Sequence, residues 1–413
     1  MTTSPVSSAT APLSRSAWIE GYTIRALYVI YYAAGAAWMP MYNLYLESLG
    51  LKGFEIGATA SIIPAVMLVF QPLWGWWADR RGIVFSLRIA GLGAIAFLLL
   101  GPLFSAGFAT ACIATFFTTV FFAPLFPLLD GVALAYVDAN PRFKYSTMRF
   151  WGAVGYGTGA PLASWWVAKT SPSGLLAMAA VLLCIAMPLM FVLKHRKPAA
   201  RLVAETGGMG DLLADRKVKL FLVAMVLASA FQNSIWAFLS IYMNEIKTPA
   251  HMIGWAYTVE GYSELPFYFL AAIFFRKWGV KQVLLATLVL CSVRMFLYSQ
   301  TRNPWWVLAI EATNGITWTL FWLAAVEWMN TLAAKRWRAT GQSLLAAAYS
   351  GGGAILGSFW CGWLYERTGT MIKVYAINGA ASLVMSLAMI WLFRKELTTK
   401  IVPSEPEPEP QKQ

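Results

Sequence analysis

The chain has 413 residues, of which 59% are hydrophobic and 12% charged, with a formal net charge of +13. An ordinary soluble domain carries roughly 25% charged residues, so this composition excludes a water-soluble globular protein. The positive charge does not point to nucleic acid either, because the basic residues stand in short links between long apolar runs.

Runs such as 84–104 and 175–193 are long enough to cross ~30 Å of hydrocarbon at 1.5 Å per residue. They show no period-two alternation, which argues against a barrel and for helices. In chain order, a Ser-, Thr-, Ala- and Pro-rich segment at 1–17 reads as a disordered tail. About twelve spans follow. Six of them (22–46, 54–78, 84–105, 107–138, 147–169 and 173–194) make an N-terminal half over 18–194. A cytoplasmic linker at 195–217 leads to six more, at 218–243, 250–275, 281–300, 304–330, 340–364 and 371–394, in a C-terminal half over 218–396. The end, 397–413, contains Glu405-Pro406-Glu407-Pro408-Glu409-Pro410 and reads as a second disordered tail.

Alternate links are basic. They hold Arg80, Arg81 and Arg88; Arg142 and Lys144; Lys194, Arg196, Lys197, Arg201, Arg216 and Lys217; Arg276, Lys277 and Lys281; Lys335, Arg336 and Arg338, whereas the others hold single residues such as Lys52, Lys169 and Arg302. The positive-inside rule then places both termini in the cytoplasm of a multi-pass inner-membrane protein. No basic n-region with a short apolar run and cleavage site is present, so the first span is expected to remain in the mature chain. The cysteines, Cys112, Cys184, Cys291 and Cys361, lie inside spans without metal-ligand spacing and read as packing residues. No metal, cofactor, nucleotide loop or nucleophile elbow is expected, and the chain reads as a non-enzyme.

The link after the second span reads Gly75-Trp-Trp-Ala-Asp79-Arg80-Arg81-Gly82. Worn copies follow the eighth span (Ala272 to Gly279) and, on the opposite membrane face, the eleventh (Gly362 to Gly369), as expected of two halves each built from inverted three-helix units. Here Gly75 is expected to permit close helix approach. Asp79, with Arg80 and Gly82 beside it at a helix end, is expected to pair with neighbouring basic groups and latch a gate.

This Gly-x-x-x-Asp-Arg-x-Gly link resembles the signature loop of the major facilitator superfamily. Tyr31-Tyr32-Ala-Ala-Gly35, Phe70 to Gly75, Met148-Arg149-Phe150-Trp151-Gly152, Ser263-Glu264-Leu265 and Ser292-Val293-Arg294 resemble stretches of its lactose permease branch, whose relatives carry nucleosides or aromatic acids. The resemblance implies an all-α fold of twelve transmembrane helices in two six-helix halves. It further implies that Asp130 and Arg149 bind substrate hydroxyls, that Glu264 links binding to protonation, and that Tyr156 stacks on a ring.

The charged residues can also be read without the resemblance. An ionised side chain in mid-span costs roughly 2.5–3.5 kcal/mol on insertion scales, so such groups face a cavity or a partner. Asp130, Arg149, Glu264, Arg294 and Glu311 all lie within spans, and the economical arrangement is one acid–base pair in the N-terminal half and one cluster in the other. Glu264 reads as the proton carrier, and its alternative is permanent pairing with Arg294. Glu260, one turn earlier on the same face, has no assigned role. Where the sugar permeases have a histidine and a carboxylate in the tenth span, this chain has Asn314 and Thr317, with Glu311 at a site that is basic there. The seventh span offers Gln232 and Asn233 instead of acids, and no intramembrane histidine is present, so uncoupled transport stays open.

Gly152, Gly155, Gly157 and Gly159, and Gly351, Gly352, Gly353 and Gly357, occupy corresponding places in the two halves and read as mobile or tightly packed helix contacts. The reading is a monomeric proton-coupled symporter of a small polar solute in the lipid bilayer, with Asp130, Arg149, Tyr156, Tyr32, Gln232, Asn233 and Asn314 lining the cavity. Glu264, Arg294 and Glu311 carry the coupling. The alternatives are an exporter of amphipathic compounds and a non-transporting membrane sensor or scaffold.

Overall fold

The computed structural model describes residues 14–104, 107–194, 209–333 and 337–394. Most of both expected tails (1–13 and all of 397–413), most of the linker (195–208) and the basic residues Lys335 and Arg336 lie outside them. Two units are defined by their internal packing, one comprising residues 1–51 and 65–203, the other 52–64 and 204–413. The described residues of both are helical, without strands, which is the arrangement that satisfies every backbone group inside lipid.

In the first unit, helix α1 (Arg15–Trp38) starts inside the stretch expected to be a tail, because Ser14 caps it by accepting from the Ala17 N–H at 3.2 Å. The expected first span is interrupted at Pro40, before a short α2 (Tyr42–Ser48). α3 (Gly53–Arg81) contributes its first residues to the second unit and residues 65–81 to the first. α4 (Ile83–Phe104) follows, and then α5 (Phe108–Phe122) and α6 (Leu125–Ala139), which break at Pro124. A proline lacks the N–H a continuing helix needs. α7 (Tyr145–Lys169) packs along α1, and α8 (Gly174–Leu189) completes the unit. The α1–α7 contact is backbone to backbone: side chains at Gly155 and Gly159 would meet the main chain of Val29 and Ala33.

The second unit holds α9 (Met209–Ala214), α10 (Arg216–Glu245), α11 (Ala250–Trp278), α12 (Val280–Gln300) and α13 (Pro304–Glu311), followed by a π-helical segment at Gly315–Thr319. Then come α14 (Leu320–Leu332), α15 (Arg338–Ala346), a second π segment at Ala347–Gly353, α16 (Ala354–Thr368) and α17 (Met371–Phe393). α10 lies against the second π segment and α16, where side chains at Gly353 and Gly357 would collide with Ser229, Ala230 and Asn233. Trp328, Phe221, Phe321 and Tyr349 fill the core between α10 and α14. Among the described residues, seven helical stretches are long and apolar enough to cross a membrane: Gly53–Arg81, Ile83–Leu103, Phe108–Ala139, Arg216–Glu245, Val280–Gln300, Thr340–Thr368 and Met371–Phe393.

The repeated link has one physical basis at all three places. Gly82, Gly279 and Gly369 each stand between consecutive helices at φ of 95°, 91° and 69°, a left-handed conformation open to glycine and strained for other residues. Basic residues crowd the turn before each: Arg80 and Arg81, Arg276 and Lys277, and Arg367, where the negative end of the helix dipole favours them. The acid of the third copy, Glu366, accepts the backbone N–H of Phe54 at 2.8 Å and so caps the start of α3.

Candidate functional site

The first unit gathers one acid–base site around α1, α6 and α7. Asp130 from α6 and Arg149 from α7 face each other, with Arg149 Nε 3.8 Å from Asp130 Oδ1. The Tyr28 hydroxyl donates to the same carboxylate oxygen at 2.6 Å, and Tyr145 brings a second phenol beside it. The Arg149 guanidinium lies over the Tyr32 ring, 4.3 Å from its centroid, and Phe126 meets that ring edge-on at 4.9 Å. The Arg149 and Asp130 side chains remain 40% and 30% exposed. A guanidinium has five N–H donors, and a 3.8 Å contact through Nε leaves its outer fork open to a ligand. Tyr156 sits two helical turns further along α7, partly buried.

Gly152 is the device that makes this geometry possible. A Cβ there would lie 2.8 Å from Arg149 Nη1 and 3.0 Å from the Tyr32 ring, so the glycine is the space into which the guanidinium folds. Gly152→Ala is expected to displace Arg149 from Tyr32 and weaken ligand binding about tenfold, worth ~1.4 kcal/mol, with the protein still folded. Isothermal titration with a transported solute checks this, and unchanged affinity counts against the role assigned to the stacked guanidinium.

The second unit holds a larger network. Arg294, on α12, is only 3% exposed and pairs with the fully buried Glu311 of α13 at 2.5 Å. Tyr298, one turn after Arg294, donates to the other Glu311 oxygen and accepts from Arg294 Nε. Arg294 Nη1 donates to Asn314 Oδ1 at 2.7 Å and to Thr317 Oγ1 at 3.0 Å. Asn314 Nδ2 in turn donates to Glu264 Oε1 at 3.0 Å. Glu264 is therefore not the ion-pair partner of Arg294. It is joined to it through one amide, and unlike Glu311 it stays partly exposed.

The π segment after α13 sets this register. The extra residue per turn of such a segment is found frequently at functional sites. Gly315 N–H donates to Ser263 Oγ at 3.0 Å, and a side chain at Gly315 would strike the Ser263 carbonyl and the Phe267 ring. That close approach to α11 brings Asn314 level with Glu264. The second π segment acts similarly on α10: Tyr349 donates to Gln232 Oε1 at 2.7 Å. Gln232 is 2% exposed and leaves its Nε2 without a partner among the described residues. Asn233 Nδ2 donates to Ser358 Oγ of α16 at 3.1 Å.

At the repeated link, Asp79 is exposed and makes no ion pair among the described residues, whereas Arg80 lies over the Trp76 ring at 3.8 Å. The role expected of Gly75 is not seen here, since a Cβ built on it meets nothing within 4 Å. Tyr28, Tyr298, Tyr349 and Gly152 were not singled out as site residues by the sequence reading. The i to i+4 spacing of Arg294 and Tyr298 on one helix face is a signal that could have found Tyr298.

Buried charged and amide networks anchored on several helices of a multi-span chain are of the kind that line solute and ion paths in membrane proteins. The chain belongs to the MFS_1 like family, whose model matches residues 22–376, and it is thus a multi-pass transporter of the major facilitator type rather than an enzyme. It is 27% identical to the maltose permease of Geobacillus stearothermophilus, over 90% of this chain and 94% of that one. It is 24% identical to a probable 3-phenylpropionic acid transporter of Escherichia coli, over 91% and 97% of the two chains. Among solved structures, the nucleoside transporter NupG superposes with a TM-score of 0.81 at 18% identity, covering 91% of this chain and 99% of that one, a likeness of fold.

Proposed function

We propose that the protein is a proton-coupled symporter, working by alternating access, that moves a small polar solute of the sugar, nucleoside or aromatic-acid kind across the bacterial inner membrane. The observation that carries this reading is the partly exposed Glu264 carboxylate, hydrogen-bonded through Asn314 to the buried Arg294–Glu311 pair. A proton arriving on Glu264 removes its charge and changes what Asn314 is bound to, and Asn314 is one of the groups that hold Arg294. Protonation at an accessible site is thus connected to a buried ion pair spanning α12 and α13.

Asp130 and Arg149 supply an acceptor and a forked donor suited to hydroxyls or a carboxylate, with Tyr32 and Tyr156 offering apolar ring faces. The names of the permease relatives span the same three solute classes. We read the chain as twelve spans in two six-helix halves over 18–194 and 218–396, with both termini cytoplasmic. The alternation of basic links supports this topology. The close contact of α1 with α7, made against the main chain of Val29 and Ala33 at Gly155 and Gly159, suits helices that slide during a conformational cycle. We read the protein as a monomer.

The test is uptake into proteoliposomes of purified protein, with radiolabelled maltose, uridine and 3-phenylpropionate offered in parallel, with and without an inside-alkaline pH gradient. Accumulation of one of them above the equilibrium level only under the gradient is the expected result. Equilibration of a substrate at the same level in both conditions would rule out coupling to protons.

Asp79 takes the place in its link that Glu366 takes in the third copy, where the carboxylate caps a helix start. We assign it the same duty during gate closure. Asp79→Asn weakens the charge–dipole attraction, typically worth 0.3–1 kcal/mol, so it is expected to slow transport two- to fivefold while leaving solute affinity unchanged. Parallel loss of rate and affinity would remove the gating assignment.

A further inference from the structure

The second unit places three carboxylates around one guanidinium. Glu260 and Glu264 stand one turn apart on α11, Glu311 on α13, and Arg294 on α12, and the charged groups that act on Glu260 are Glu311, Arg294 and Glu264. Tyr257 is a further titratable neighbour, on its own helix. The one basic group in the cluster directs four of its five N–H donors elsewhere. Its Nε is on Tyr298, its Nη1 on Asn314 and Thr317, and its Nη2 on Glu311. Lys281, the other buried base of α12, is 13 residues away from Arg294, about 20 Å along the helix at 1.5 Å per residue.

The three carboxylates are in unlike situations. Glu311 has an arginine and a phenol. Glu264 is partly exposed and accepts from Asn314 and from Tyr268. Glu260 is 3% exposed, and its carboxylate has no hydrogen-bond or ion-pair partner among the described residues. A buried carboxylate without a donor, facing two further carboxylates and sharing its one nearby cation, Arg294, with Glu311, has little to stabilise its charge, and under those conditions a group neutralises.

We propose that Glu260 is a proton-binding site, occupied while Arg294 pairs with Glu311, so that the second unit carries two proton-binding carboxylates, Glu260 and Glu264, rather than one. The Glu260 site is buried within the unit and the Glu264 site is partly exposed. The inference stands whether or not transport is coupled, because a proton on Glu260 offsets charge within the cluster in either case.

Infrared difference spectroscopy of the full protein in lipid, without any solute, tests it. At neutral pH the unmodified protein should show the C=O stretch of a protonated buried carboxyl, displaced on exchange into heavy water. Glu260→Gln should abolish that band, and Glu264→Gln should leave it. Glu260→Asp keeps the carboxyl in altered surroundings and should move the band, which serves if the glutamine variant does not fold. Absence of the band in the unmodified protein, its survival in Glu260→Gln, an unmoved band in Glu260→Asp, or its loss in Glu264→Gln alone would each overturn the proposal. Loss of the band in Glu260→Gln together with gradient-independent uptake in the unmodified protein would leave this inference standing and remove the symport reading. The opposite combination would do the reverse.

Discussion

Replacing Arg294 with alanine is expected to lower the stability of the folded protein by about 3–5 kcal/mol, the range found when one partner of a buried ion pair is removed. The magnitude follows from what is left behind. Glu311 is fully buried, and without Arg294 its only remaining hydrogen-bond partner among the described residues is the Tyr298 hydroxyl. Asn314 and Thr317 each lose a donor, and Glu260 loses the one cation that acts on it. The double replacement Arg294→Met with Glu311→Leu removes both charges and should recover most of the loss, because an apolar pair of similar volume often matches a buried salt bridge. Unfolding in mild detergent measures both variants. An Arg294→Ala protein as stable as the unmodified one would mean that the pair is hydrated and not the buried fastening described.

Much of this arrangement was legible in the sequence because lipid makes isolated charge expensive. Asp130, Arg149, Arg294 and Glu311 were singled out as charges in apolar stretches, and each acid lies against an arginine in the structure. The three glycine-terminated links were legible for a related reason, as each ends on a residue held at positive φ. The details that the sequence concealed are those that periodicity cannot express. A π segment differs from an α-helix by its hydrogen-bond spacing, not by its residue pattern, so the register that sets Asn314 beside Glu264 and Tyr349 beside Gln232 leaves no period to read. For the same reason the sequence offered only Glu264 as a possible partner of Arg294, with Glu311 read as a member of the same cluster, whereas the structure pairs Arg294 with Glu311. Gly152 was readable as a packing glycine, but its crowding by Arg149 and Tyr32 depends on a side chain folding back over its own helix. The helix breaks at Pro40 and Pro124 were signalled by the prolines themselves, though the hydrophobicity of the flanking stretches hid them inside single expected spans.

The second large effect is expected at Glu264, where the glutamine variant copies the protonated carboxyl in shape and hydrogen-bonding capacity. Its side chain can still meet Asn314, and Arg149 and Asp130 of the first unit are untouched, so solute binding and exchange across the membrane should persist. Neither step requires net movement of a proton. Accumulation against a gradient does require it, and with the carrier fixed in its neutral form accumulation should fall to the equilibrium level. The measurement is a pair of assays on one preparation: counterflow in proteoliposomes preloaded with the solute, and uptake driven by an imposed inside-alkaline pH gradient. The account predicts counterflow close to that of the unmodified protein and loss of gradient-driven accumulation in Glu264→Gln. A Glu264→Gln protein that still concentrates the solute under the pH gradient would contradict it, because the coupled proton would then travel by another group.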